Sequence, residues 1–161
     1  MRPPFLQLGG EDKFADYQTE FNKLIPSIVI DVLGNEVYIA RERCHHICFK
    51  EEEEGASRDQ WEQERAERIP FIKAALERPK FICLGERRSW VYLYEVERDV
   101  ENDLEPELFC VIVDYKEAKP EFPGRVRLLT GYRIYNQKWT AFKQNHLQIY
   151  PHKTLKPKKK K

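Results

Sequence analysis

The chain has 161 residues, 41% of them apolar and 34% charged, a length and composition for one domain with a real core rather than two. No apolar run approaches the roughly 20 residues of a membrane span, and the opening MRPPFLQLGGEDKF has no secretory apolar stretch, so a cytoplasmic location away from any membrane is expected. The net charge of +1 conceals an asymmetry: the last nine residues, KTLKPKKKK, hold six lysines, and removing these leaves a body of −5. An acidic body with a basic tail argues against a broad nucleic-acid surface, though it leaves room for a local basic patch.

Taken in chain order, Phe14, Tyr17, Phe21 and Leu24 recur at helical spacing, which predicts an amphipathic helix ending before Pro26 (11–25). SIVIDVLGNEVYIA is two β-rich runs around Gly34-Asn35, a hairpin. RERCHHICFK (41–50) follows in a segment rich in helix formers. EEEEGASRDQ is a polar connection in which Ser57 or Asp59 can cap the next helix. QWEQERAERIPFIKAALERP reads as a helix kinked or restarted at Pro70. Four strands come after it: 81–85, 90–96, 108–115 and 125–135. The third is apolar on both parities, as a central strand covered on both faces is. Helices first and strands after predict an α+β fold, with an antiparallel sheet of about four strands and two to three helices packed on it. One domain over 1–152 and a disordered lysine-rich tail over 153–161 complete the expected organisation.

The segment 41–50 carries the first candidate chemistry. On a helix Cys44, Ile47 and Cys48 fall within about 100° of one another, His45 about 100° from Cys44, and His46 about 200° from it, on the far side. The two cysteines lack the second close Cys/His pair that a zinc site needs, so no metal is expected, and all four thiols (Cys44, Cys48, Cys83, Cys110) read as buried and free. His46 is either a surface residue or the wall of a groove. An imidazole titrating near pH ~6.5 suits general acid–base work in the second case.

A series of motifs then recurs in a recognisable order. A strand, EVYIA, precedes a helix bearing His46-Ile47. A second, proline-marked helix, IPFIKAALERPKFI, leads into WVYLYEV and LFCVIVDY, and a final strand ends LLTGYRI, with Thr130-Gly131-Tyr132. This series resembles the phage-associated branch of the barnase–EndoU–colicin–RelE-like nuclease superfamily over about residues 36–135. The resemblance implies an endoribonuclease that needs no metal or cofactor, and a toxin-type effector as one form of it. It also implies RNA, tRNA included, as substrate and an inhibitor protein as a further partner. His46 would act as base or acid, Thr130 would donate to a phosphate oxygen with Tyr132 beside it, and Arg133 or Arg127 would steady the charge. The alternative is a non-catalytic binding protein on the same fold.

Two features of the strands bear on this. On an unbroken final strand Thr130 and Tyr132 share a face with Val126, Leu128 and Ile134, opposite Arg125, Arg127 and Arg133. A phosphate site using both Thr130 and Arg133 therefore needs a bulge, which Gly131 can permit. In the second strand Trp90, Tyr92 and Tyr94 alternate on one side, which suits either a base-stacking platform, with Tyr92 and Tyr94 touching RNA, or a hydrophobic core.

Overall fold

The computed structural model describes residues 5–8, 13–51, 58–96, 107–117, 120, 124–134, 140 and 147–151. The lysine tail, most of the EEEEGAS connection and the acidic loop after residue 96 lie outside these residues.

The amphipathic pattern near the N-terminus becomes α1 (Lys13–Leu24), which buries Tyr17 and Phe21. The Tyr17 hydroxyl donates to the Leu6 carbonyl at 2.9 Å and accepts from Gln63 Nε2 at 2.9 Å, so the buried phenol is satisfied. The hairpin is β1 (Ile28–Ile30) and β2 (Glu36–Tyr38), antiparallel. Its turn is built by Asp31, whose Oδ1 accepts from the backbone N–H of Leu33 and Asn35 at 2.9 and 2.8 Å. Gly34 supplies the left-handed residue, with φ +87°.

Helix α2 (Arg43–Cys48) has six residues, shorter than 41–50 predicts. Phe49 is extended and starts β3 (Phe49–Glu51), which pairs with β4 (Arg58–Trp61). The cause is tertiary: the Phe49 ring stacks on His45 at 4.5 Å and meets Trp61 at 5.3 Å and Phe14 at 5.4 Å. That aromatic cluster draws the chain out of the helix. Asp59 stands in β4, and Ser57 lies outside the described residues. The predicted second helix is two, α3 (Gln63–Glu67) and α4 (Pro70–Glu77), with Pro70 at the first turn of α4, where a missing N–H costs no bond.

The four predicted strands are present as β5 (Phe81–Leu84), β6 (Ser89–Val96), β7 (Glu107–Lys116) and β8 (Arg125–Ile134), and β9 (Gln148–Tyr150) adds to the edge of β5. The α+β class holds, but the sheet is larger than four strands and is mixed. Its seven strands run β1-β2-β8-β7-β6-β5-β9, and β2 lies parallel to β8. The sequence pattern misses this because the β1–β2 hairpin joins the sheet through a partner some 90 residues away. β7 is the central strand, as its double-sided apolar pattern predicts.

The main core lies on one face. It combines residues of all four helices with Val37, Ile82, Tyr92, Tyr94, Phe109, Val111, Val113 and Leu128 of the sheet. A smaller cluster on the opposite face holds Cys83, Val91, Leu93, Leu108, Cys110 and Ile134. The four helices of the described residues therefore cover the same side of the sheet. No described helix is long and apolar enough to cross a membrane.

Candidate functional site

β8 decides where the candidate residues point. Its register against β7 shifts by one: Val113 pairs with Leu128, but Ile112 pairs with Thr130. Leu129 is the extra residue of a bulge, which reverses the side-chain alternation beyond it. Leu128 joins the core under the helices. Thr130, Tyr132 and Ile134, opposite Ile112, Cys110 and Leu108, face the other way. Arg127, opposite Asp114, faces that way too.

The expected single face of Val126, Leu128, Thr130, Tyr132 and Ile134 is thus split, and the grouping of arginines is reversed in part. Arg127 shares a face with Thr130 and Tyr132, whereas Arg133, opposite Phe109, is on the helix side. The bulge is at Leu129 and not at Gly131. A Cβ on Gly131 would meet the Phe109 ring at 3.0 Å, so that glycine serves close packing.

β2 pairs with β8 at Val126 and Arg127, and among the described residues no strand lies beside the later part of β8 on that side. Helix α2 packs there. Its Cys44, Ile47 and Cys48 are buried, as the helical spacing predicts. Arg43 Nη1 donates to the Leu129 carbonyl at 3.4 Å, which ties the helix to the bulge. His46 is one turn on from Arg43, about 60° around the axis from it and far from the buried Cys44 face. It is half-buried, between the two alternatives of a surface residue and a groove wall. His45 is the exposed one, held between the rings of Phe14 and Phe49.

Next to this junction is a pocket of about 330 Å³. Five of its lining residues are cationic, Arg41, Arg43, Lys116, Arg125 and Arg127, and one, Glu42, is acidic. The guanidinium groups are held in place. Arg41 donates to the carbonyls of Ile25 and Ile39 at 2.7 and 3.0 Å and lies over the Phe21 ring. Burial lowers its pKa, a sign that its charge is poorly solvated. Arg125 lies over the Tyr38 ring at 4.3 Å. Arg127 grips Asp114 with two bonds, at 2.8 and 3.2 Å, and that carboxylate raises its pKa. Guanidinium groups fixed in this way suit phosphate oxygens, with the fork of Arg127 itself taken by Asp114. Of the residues given a role by the resemblance, only Arg127 lines this pocket.

The remaining candidates are elsewhere. Tyr132 and Arg133 line a separate hollow of about 150 Å³ with Glu62, Glu64 and Arg65. Burial raises the Tyr132 phenol, and Arg65 lies over its ring at 5.5 Å. Arg133 is within 3.6 Å of both Glu64 and Glu107, so acids already surround it. Neither His46 nor Thr130 lines either pocket.

Tyr92 and Tyr94 correct the stacking expectation. They are 0% and 5% exposed and belong to the core under the helices, so neither ring offers a face to a base. The Tyr92 hydroxyl donates to Asp31 Oδ2, which joins β6 to the hairpin turn.

Comparison of the chain with known protein families, curated proteins and solved structures yields no match. Among the described residues no three His, Cys, Asp or Glu side chains gather as a metal site would require. The pocket residues Arg41, Arg43, Lys116 and Arg125 escaped the sequence reading as a site. The one available signal was the alternation of Arg125 and Arg127 on a strand; nothing local places β2 and the start of α2 against them.

Proposed function

We propose that this protein is an endoribonuclease of the toxin-effector kind, cleaving RNA by attack of a ribose 2′-hydroxyl on the adjacent phosphate, with no metal required. The observation that carries the reading is the β8 bulge. It sets Thr130 on the face of Arg127, next to the Leu129 carbonyl that Arg43 of α2 bonds. In this scheme His46 takes the 2′-hydroxyl proton or delivers a proton to the departing 5′-oxygen. Thr130 and Arg127 hold the non-bridging phosphate oxygens as negative charge grows on them, with Tyr132 next along the same face. The basic pocket provides the attraction for the phosphate backbone.

The test is incubation of the purified chain with total RNA and with tRNA in the presence of a chelator. Fragments with 2′,3′-cyclic phosphate and 5′-hydroxyl ends are expected. His46→Ala should slow their formation by about 100-fold or more, the usual contribution of a positioned acid or base. Intact RNA, or cleavage indifferent to His46→Ala, refutes the reading.

A second reading is favoured by the composition of the basic pocket, which includes neither His46 nor Thr130. In that reading the same fold binds RNA, or an inhibitor-like protein partner, without cutting. RNA retained on the protein with unaltered ends would select it.

A further inference from the structure

We infer that the basic pocket is a subsite for two consecutive backbone phosphates of single-stranded RNA, next to the position where cleavage is proposed. The inference rests on RNA being the ligand and adds which form of RNA is taken and how it is held.

Three observations support it. The first is charge: five cationic side chains and one carboxylate line a space of about 330 Å³, and with Asp114 on Arg127 also counted against them the balance is +3. A single phosphodiester carries one negative charge and leaves most of that field unanswered; two successive phosphates answer more of it.

The second is spacing. Arg125 and Arg127 stand two residues apart before the bulge, on one face of β8, about 7 Å along the strand. Successive phosphates of an extended single strand are spaced comparably. Lys116 pairs with Arg125 across the sheet, and Arg43 approaches from α2 at the bulge. The cations therefore form a short track leading from the β7–β8 end towards Thr130.

The third is preorganisation. Arg41 and Arg43 are bonded to backbone carbonyls and Arg125 lies over Tyr38, so little side-chain freedom is lost when an anion arrives. The pocket is recessed between the end of β2, the approach to α2 and the start of β8. A single strand can bend into such a recess, whereas a stiff duplex backbone cannot.

The experiment measures binding apart from cleavage. A short oligoribonucleotide with 2′-O-methyl sugars, which has no nucleophilic hydroxyl, is titrated with the full chain at several salt concentrations. The same strand in a duplex forms a second arm. Each phosphate contact contributes about 0.7 to the slope of log K against log salt for a single strand. Lys116→Gln, on an exposed side chain that can be changed without disturbing the core, should flatten the slope by about 0.7. Arg43→Gln should flatten it similarly and weaken binding about tenfold. The duplex should bind at least tenfold more weakly than the single strand. A slope unchanged in both variants overturns the subsite, and so does equal affinity for duplex and single strand. Failure of the cleavage proposal shows up instead as intact ends on unmodified RNA, so the two outcomes are separable.

Discussion

Leu128 and Thr130 stand two residues apart in β8, yet their side chains leave opposite faces of the sheet, because they pair with neighbouring residues of β7, Val113 and Ile112. In a regular strand they would share a face. The inserted Leu129 turns the hydroxyl of Thr130 out of the helix-side core and on to the face of Arg127.

Arg127 and Arg133 should consequently differ in an RNA-cleavage assay. Arg127→Gln is expected to lower the rate about 100-fold, the scale of losing one charge-stabilising donor. Arg133→Gln, among Glu64 and Glu107 on the other face, should change it less than about threefold. Single-turnover rates on one tRNA measure both. A larger loss in Arg133→Gln would place the phosphate on the helix side and contradict the bulge argument.

Tyr92→Phe removes the hydroxyl that donates to Asp31 in a buried setting. Asp31 keeps its bonds from the Leu33 and Asn35 backbone, and a long one from Asn35 Nδ2 at 3.4 Å, but loses the phenol on Oδ2. A loss of about 1–3 kcal/mol is expected. Denaturant unfolding monitored by far-UV circular dichroism gives the value, and a change below about 0.5 kcal/mol would show that water replaces the phenol.

Gly131→Ala adds a methyl group that meets the Phe109 ring at 3.0 Å, with Phe109 itself 1% exposed. Relief requires moving that ring within a packed core. The expected cost is about 1–2 kcal/mol, again from denaturant midpoints. A companion change Phe109→Leu, which frees the space, should make Gly131→Ala nearly neutral in a double-mutant cycle.

Alkaline pH should weaken the fold. Burial pushes the Cys110 thiol up to about 12, from an ordinary 9.0. Cys48 is raised as well, first by its hydrogen bond with Cys44 and then by burial. Burial also raises Tyr92 and Tyr132. Above pH 9 the unfolded chain loses these protons while the folded chain retains them. The unfolded state then binds fewer protons, so stability falls as pH rises. The contribution is intact below pH 9 and is lost progressively towards pH 12. Urea midpoints compared at pH 7 and pH 10.5 test this, and a constant midpoint contradicts it.

All four cysteines are buried and free. An aromatic disulfide reagent should therefore label none within minutes at neutral pH, and four once the chain is unfolded in guanidinium. Labelling of native protein at Cys44 or Cys48 would show that α2 opens from β8.

Periodicity was enough for α1, where Tyr17 and Phe21 fall on one buried stripe, and for the apolar face of α2, because a helix sets side-chain direction locally. The strands β5 to β8 were legible as β-rich runs, and the central place of β7 because burial on both faces leaves an apolar residue at most of its positions. The β1–β2 turn was legible from Gly34-Asn35 for the same local reason.

Tertiary structure alone decided the rest. The length of α2 was set by Phe49 pairing with Trp61 across β3 and β4, and the parallel β2–β8 pair by contacts between segments far apart in the chain. The direction of Thr130 was set by a one-residue register shift, which strand propensity does not encode. The basic pocket follows from these long-range pairings: Arg41 and Arg43 meet Lys116, Arg125 and Arg127 only because β2 docks on β8 and carries the start of α2 with it. Local pattern sets which way a side chain points on its own element, and the pairing of distant elements sets what it faces.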